Sequence, residues 1–281
     1  MSEAESGAAA GAPAAVYTHG HHASVLRSHR WRTAANSAAY LLPHLRPGQH
    51  LLDVGCGPGT ITADLAEAVS PGGRVTAVDS SADILESTRA ELAARGIAGA
   101  VVETADVHEL PYEDGSFDVV HAHQVLQHVA DPVRALREMR RVCRPGGVVA
   151  VRDADYAGMT WYPEVPGLGE WQSLYRRVAR ANGGEPDAAR RLLAWSRAAG
   201  FPDDALTATA TTWVYATPED RAWWSESWAQ RTRDSALGRQ AVALGFAEPA
   251  DLERIAASWH EWAADPDAWF AVTNGEILAR V

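Results

Sequence analysis

Three glycines at alternate positions, Gly55, Gly57 and Gly59, separate an apolar run that begins at Leu51 from a stretch in which Ile61, Leu65, Ala68 and Val69 share a helical face. Asp53 lies just before them, and Asp79 lies 20 residues beyond the last. Glycine has no Cβ, so such a turn lets the backbone come close to a flat ligand. An acid at that distance, closing the next strand, can accept both hydroxyls of a ribose. Together these residues describe a nucleoside site. Four histidines, His22, His121, His123 and His128, are candidates for moving a proton, since imidazole titrates near neutrality. All 25 Lys+Arg residues are arginine, which excludes a Schiff-base lysine, a lysine general base and a Walker A site.

The spacing departs from the dinucleotide fingerprint. A G-x-G-x-x-G loop holds a pyrophosphate on backbone N–H groups at a helix start. Here Thr60 stands where that pattern wants its third glycine, and Pro58 removes an N–H from the turn. A nucleoside without phosphates needs no such donor. S-adenosyl-L-methionine (SAM) is one, with an adenosine, a sulfonium and an amino-acid tail.

The run Asp53-Val54-Gly55-Cys56-Gly57-Pro58-Gly59-Thr60 resembles the first motif of the class I SAM-dependent methyltransferases. The resemblance continues in order to about Asp153, and is greatest to the small-molecule group that includes the ubiquinone and menaquinone C-methyltransferases. It implies that Asp53, Gly55, Cys56, Gly57 and Gly59 meet the cofactor. Asp79, with Ser80, would take the ribose. Asp106 and Val107 would bracket the adenine, and His123 would border the methyl group. In that family an N-terminal helix folds over the cofactor, which makes Tyr17 and His22 candidates for closing the site. His128 is the first choice for a base and His22 the second.

These residues need a scaffold. Strands are expected around residues 51–54, 74–79, 101–106, 117–124 and 148–151, with helices between them. The helix carrying Val133, Leu136, Met139 and Val142 should pair Arg134 with Glu138. A helix is expected from Val25 to Leu42, ended by Pro43. The resemblance implies a doubly wound, mainly parallel, seven-stranded α/β sheet of Rossmann-like methyltransferase type. The chain divides into a disordered tail (1–15), a helical cap (16–47), a cofactor-binding core (48–155) and a remainder (156–281). Within that remainder, residues 205–216 are Thr-rich and suit a strand. The segment 269–280 suits a last strand pair or one antiparallel strand, and residues of about 218–265 form a helical insertion.

That insertion carries Trp223, Trp224, Trp228, Trp259 and Trp262, out of 11 tryptophans in the chain. They suit an aromatic or hydrophobic acceptor pocket, or a cage for a cationic amine; ordinary helix packing would also explain Trp224 and Trp228. A net charge of −11 argues against nucleic acid as partner. No apolar run reaches membrane-span length. Two cysteines suit a cytoplasmic protein without disulfides. The reading is therefore a methyltransferase, in secondary metabolism, acting on a small molecule at carbon, oxygen or nitrogen, with a homodimer allowed. Its rivals are a SAM-binding protein without transfer, a fold in which SAM is a spectator, and an NAD-linked oxidoreductase. A metal held by His19, His21 and His22, or by His121 and His123, is a lesser alternative, and no metal is expected.

Overall fold

The structure, a computed structural model, describes residues 31–281. Five strands run parallel: β1 (His50–Val54), β2 (Arg74–Asp79), β3 (Val101–Thr104), β4 (Phe117–His123) and β5 (Cys143–Ala154). Their apolar runs suit a sheet covered on both faces; Leu51, Leu52, Val54, Val119 and Val120 are at most 2% exposed. β8 (Trp269–Arg280) is antiparallel to β5, with Leu278 opposite Ala150. β7 (Leu206–Tyr215) lines the other edge of β8, and β6 (Thr160–Tyr162) pairs with the first residues of β8. The order β3-β2-β1-β4-β5-β8 reverses direction between β1 and β4. In such sheets ligands bind outside the carboxyl ends of the strands at that reversal.

The segment 269–280 is thus one antiparallel strand. The sheet holds the seven expected strands and a short eighth, β6, which the sequence did not announce. β7 matches the Thr-rich stretch; most of its residues are exposed, as suits β-branched side chains on an edge.

Helix α1 (Ala34–Ser37) is only four residues long. The expected continuous helix through Trp31 to Leu42 does not form. Thr33 is extended and caps α1, its hydroxyl accepting from the Asn36 N–H while Asn36 Oδ1 accepts from the Thr33 N–H at 2.8 Å. This reciprocal box fixes a helix start inside the predicted helix. α2 (Thr60–Ala68), α3 (Ala82–Ala94) and α4 (Pro132–Val142) join successive parallel strands. On α4, Glu138 does not pair with Arg134. It receives two bonds from Arg141, at 2.9 and 2.8 Å, and the Leu110 N–H at 3.0 Å. A bidentate guanidinium outcompetes a surface i,i+4 partner.

Beyond β5 come α5 (Pro166–Ala181) and α6 (Leu192–Ala198). Between β7 and β8 lie α7 (Pro218–Asp234), α8 (Ala236–Ala243) and α9 (Pro249–Ala264). α7 starts where Thr217 accepts the Asp220 N–H at 3.1 Å, with Pro218 first and two acids in the opening turn. α5, α7 and α9 build a second core of aromatic rings. Trp171, Trp228, Trp259 and Trp262 are at most 1% exposed. Trp171 meets Trp228 and Trp259 edge-on at 4.5 and 4.8 Å, the arrangement that ring quadrupoles favour. Among the described residues, no helix is long and apolar enough to cross a membrane.

Candidate active site

The glycine turn joins β1 to α2, and its three glycines serve different purposes. All three have positive φ, at 67°, 54° and 87°. A Cβ on Gly55 would strike Val125 just beyond β4. A Cβ on Gly59 would lie 2.8 Å from the Thr88 methyl and 3.0 Å from its Cα on α3. Around Gly57 nothing lies within 4 Å of that position. The outer glycines therefore allow packing, while the middle one leaves open space at the crevice.

The turn's amides are already engaged. Gly55 N and Cys56 N both donate to Val78 O, at 2.7 and 3.0 Å, and Gly59 N donates to Cys56 O at 3.1 Å. Gly57 N donates to Asp79 Oδ2 at 3.1 Å, and Pro58 has no N–H. A pyrophosphate would have to displace these bonds. The other Asp79 oxygen accepts the Ser81 N–H at 3.0 Å, so Asp79 ties the turn to the start of α3. A carboxylate offers about four acceptor positions, so it can take hydroxyls beside backbone amides. Ser80 follows at the end of β2.

Asp53 is turned inward and is 3% exposed. Its oxygens meet Thr62 Oγ1 at 2.6 Å and His121 Nδ1 at 2.8 Å. It braces β1 against α2 and β4. Cys56 is buried beside Thr88, and burial, with the Asp53 and Asp79 charges, pushes its thiol well above the ordinary range. It is a packing residue, not a thiolate. Asp106 is exposed beyond β3 and accepts the His108 N–H at 2.9 Å, while Val107 is buried.

His121 and His123 do share a face of β4, and are 0% and 7% exposed. His123 sits opposite Arg152, which sits opposite Glu276, which sits opposite Thr209, in one row across four strands. Arg152 and Glu276 pair at 3.1 Å and are 1% and 3% exposed at their side chains. Thr209 and Thr211 donate to Glu276 at 2.8 and 2.6 Å, and the Arg152 guanidinium lies 4.4 Å from the Trp213 ring centre. Arg152 Nε and Nη2 thus have oxygen partners, while its buried Nη1 has none.

His128 stands elsewhere, at the end of a single 3-10 turn after β4. It is half-buried, with Nε2 2.9 Å from Gln127 Nε2. Burial, aided by the Arg32 charge, pushes its imidazole down to about 3. A ring that hard to protonate is a weak proton acceptor at neutral pH. Asp153 Oδ1 caps the same turn, accepting the Gln127 N–H at 3.0 Å. Tyr17, His19, His21 and His22 lie outside the described residues.

Sequence reasoning missed Gln124. It is the one non-glycine residue with positive φ among the described residues, at 54°. Side chains rarely take that conformation, and it concentrates at functional sites. Its backbone N–H donates to Arg152 O, and its side-chain Oε1 accepts from Arg32 Nη2, both at 2.6 Å. Gln124 lies on a cleft walled by Trp31, Tyr215, Trp223 and Trp224. Tyr215 stacks on Trp224 at 4.0 Å, and Trp31 lies 5.7 Å from Tyr215 and 5.8 Å from Trp223. Arg32 and Arg231 also line it. No sequence signal distinguished these two arginines from the others.

A methyltransferase-domain family model matches residues 45–192. An uncharacterized methyltransferase of Schizosaccharomyces pombe is 34% identical over 273 residues, covering 94% of this chain and 96% of that protein. A demethylmenaquinone methyltransferase of Staphylococcus aureus is 37% identical over 131 residues, 47% of this chain and 51% of that one. A solved phosphoethanolamine N-methyltransferase of Haemonchus contortus, in complex with SAM, is 18% identical and shares the fold with a TM-score of 0.55, over 91% of this chain and 56% of that one. The chain belongs to the class I methyltransferase family, and is a SAM-dependent methyltransferase. Its residues fit that cofactor: the open space at Gly57 is where a Cβ would intrude, and the turn's engaged amides suit a ligand without a pyrophosphate.

Proposed function

We propose that this enzyme methylates a small aromatic or hydrophobic metabolite at the tryptophan-walled cleft, which in this structure is a slot of about 20 Å³ and must widen to admit it. One observation carries the reading: Gln124 lines that cleft, while the adjacent Val125 packs on Gly55 of the glycine turn. Acceptor cleft and cofactor crevice thus share one wall. SAM, when bound, supplies an electrophilic methyl on a sulfonium. The protein must hold the acceptor in line with it and keep water away, and positioning alone lowers such a barrier by several kcal/mol.

In this reading Asp79 takes the ribose hydroxyls, with Ser80 beside it, and Gly57 gives the cofactor its space. Asp106 and Val107 flank the adenine, and His123 closes the methyl side from β4. Asp53, Gly55, Cys56 and Gly59 shape the turn from behind. His128 is too weak a base to be central. Tyr17 and His22 remain candidates for covering the cofactor.

A role in secondary metabolism belongs to the same reading. An insertion between two strands can be tailored to an acceptor without disturbing the cofactor core. The acidic chain disfavours a phosphodiester polymer as acceptor. Two buried, unpaired cysteines fit a reducing compartment, and we place the enzyme in the cytoplasm, with a homodimer allowed. Incubation with SAM and a panel of small aromatic acceptors, read by mass spectrometry beside SAM calorimetry, tests the proposal. A methylated product is expected. SAM binding with no transfer to any acceptor would favour a bare SAM-binding role, and tight NADH binding without SAM affinity would favour the oxidoreductase.

A further inference from the structure

At the other end of the sheet lies an open hollow of about 620 Å³, within the range of about 300–1,000 Å³ common for small-molecule sites. It sits beside Gly115 and Cys143, where β4 and β5 begin. β4 is seven residues long. At about 3.3 Å per residue, about 20 Å of strand separates the hollow from the carboxyl end at His123. Its lining is lopsided in charge. Arg137, Arg140 and Arg141 face one side-chain carboxylate, Asp114. Counting a carboxylate on Val281 as well still leaves a positive excess, in a chain whose net charge is −11.

The three arginines are not equivalent. Arg141 is neutralised by Glu138 at 2.8 Å and by Asp114 at 2.9 Å. Arg137 has no carboxylate partner among the described residues; its Nη2 donates to Ala198 O, at the end of α6, at 3.0 Å. Arg140 has neither a carboxylate nor a hydrogen-bond acceptor there. Its guanidinium lies 5.6 Å from the Phe201 ring centre, and a Cβ on Gly200 would come within 2.8 Å of its Nη1. The turn after α6 thus holds both guanidiniums in place and neutralises neither. Like charges three apart on a helix repel one another. The negative end of α4 favours basic residues in its last turn, which accounts for Arg140 and Arg141. It does not account for Arg137, which precedes that turn, or for the hollow beside them. A guanidinium has five N–H donors in a planar fork, matched to the oxygens of a phosphate or carboxylate.

We propose that this hollow is a second ligand site, taking a small molecule that carries a phosphate or carboxylate group, with Arg137 and Arg140 receiving the anion. An anion between them relieves their mutual repulsion. A bare ion would leave most of the space unused, so the ligand has a body that rests on Pro145 and Ala199. A hollow on the scale of one metabolite favours such a ligand over an acidic protein surface. Neither arginine belongs to the glycine turn or to the tryptophan cleft, so the site stands apart from the acceptor reading.

The test is calorimetry on the full chain, saturated with S-adenosylhomocysteine and at low salt. The probes are glucose 6-phosphate, gluconate, glucose and glucosamine, with a hexaglutamate peptide beside them. At least one sugar anion is expected to bind about tenfold or more tighter than glucose, glucosamine and the peptide. The tighter of the two anions identifies the group the site takes. Arg140→Met and Arg137→Met should each weaken that anion by about fivefold or more, with S-adenosylhomocysteine affinity unchanged. Both side chains are exposed, so a native melting curve is expected for each variant. Anion binding that survives both substitutions would overturn the assignment. Equal binding of all four sugars, or binding of none, would do the same. Hexaglutamate binding tighter than either sugar anion would overturn the small-molecule reading in favour of a docking surface for an acidic segment.

Discussion

Around the glycine turn, position is set by short polar contacts to the backbone: Gly55 and Cys56 bond to Val78, Gly57 to Asp79, and Thr88 Oγ1 to Gly57 O at 2.5 Å. In the helical insertion the same job is done by ring against ring. Trp228 stacks near-parallel to Trp259 at 6.1 Å, and Trp224 on Tyr215 at 4.0 Å. The first region has one geometry, because directional bonds fail when an atom moves. The second tolerates exchange of ring for ring, because dispersion and burial carry little direction. A cofactor that never changes suits the first construction, and an acceptor that varies between enzymes suits the second.

The contrast predicts a division of effects, sharpest in the rings. Trp224→Ala removes a side chain only 5% exposed, and should cost about 3–5 kcal/mol of stability. Trp223→Ala, at a half-buried position on the cleft, should cost less than about 1 kcal/mol yet raise the acceptor KM. Urea denaturation and acceptor kinetics separate the two. If Trp224→Ala instead weakened SAM binding and spared stability, the two regions would not be independent.

Next come the glycines. Gly59→Val combines left-handed strain of about 1–2 kcal/mol with overpacking against Thr88 of about 1–3 kcal/mol. It should therefore lower stability and lose SAM together. Gly57→Val carries only the strain, and should give a nearly native melt with SAM binding abolished. Calorimetry on a folded Gly57→Val protein that still bound SAM would reduce the turn to a structural corner. Asp79→Ala should be milder, weakening SAM by at least about tenfold through the loss of charge-assisted bonds. Unchanged affinity in a folded variant would remove the ribose assignment.

The same division governs what could be read in advance. Glycine spacing, the proline at position 58 and the acid closing β2 are local patterns, so the parallel core from β1 to β5 was legible strand by strand, although β5 begins at Cys143, before the expected run from Val148, and β3 ends at Thr104, short of Asp106. Strand alternation also placed His121 and His123 on one face. What was not legible depends on contacts distant in sequence. The Thr33 and Asn36 box outcompeted a helical pattern that extended through both residues. Gln124 is strained because β5 and Arg32 hold it from outside. Arg32 and Arg231 are 199 positions apart, and no spacing rule brings them to one cleft. For Trp224 and Trp228, core packing and pocket wall were offered as alternatives. Both residues are buried in the aromatic core and also line the cleft.

The smallest expected effect concerns the joint between the two regions. His128 sits on the turn after β4 that Asp153 caps. Its depressed pKa of about 3 means that it stays neutral throughout the working range. His128→Asn should therefore change kcat by less than about threefold, below the about 10²–10⁴-fold that a general base contributes. The pH profile between 5 and 9 should keep its shape, since no proton is gained or lost on this ring there. Stability moves the other way. A histidine whose folded pKa lies below its unfolded value stabilises fully above the unfolded value, near 6.5. That contribution is lost as pH falls toward 3, because the unfolded chain binds the proton first. His128→Asn should accordingly flatten the acid side of a stability curve while leaving catalysis nearly untouched. A loss of the alkaline or acid limb in kcat, with stability unmoved, would restore His128 as the base.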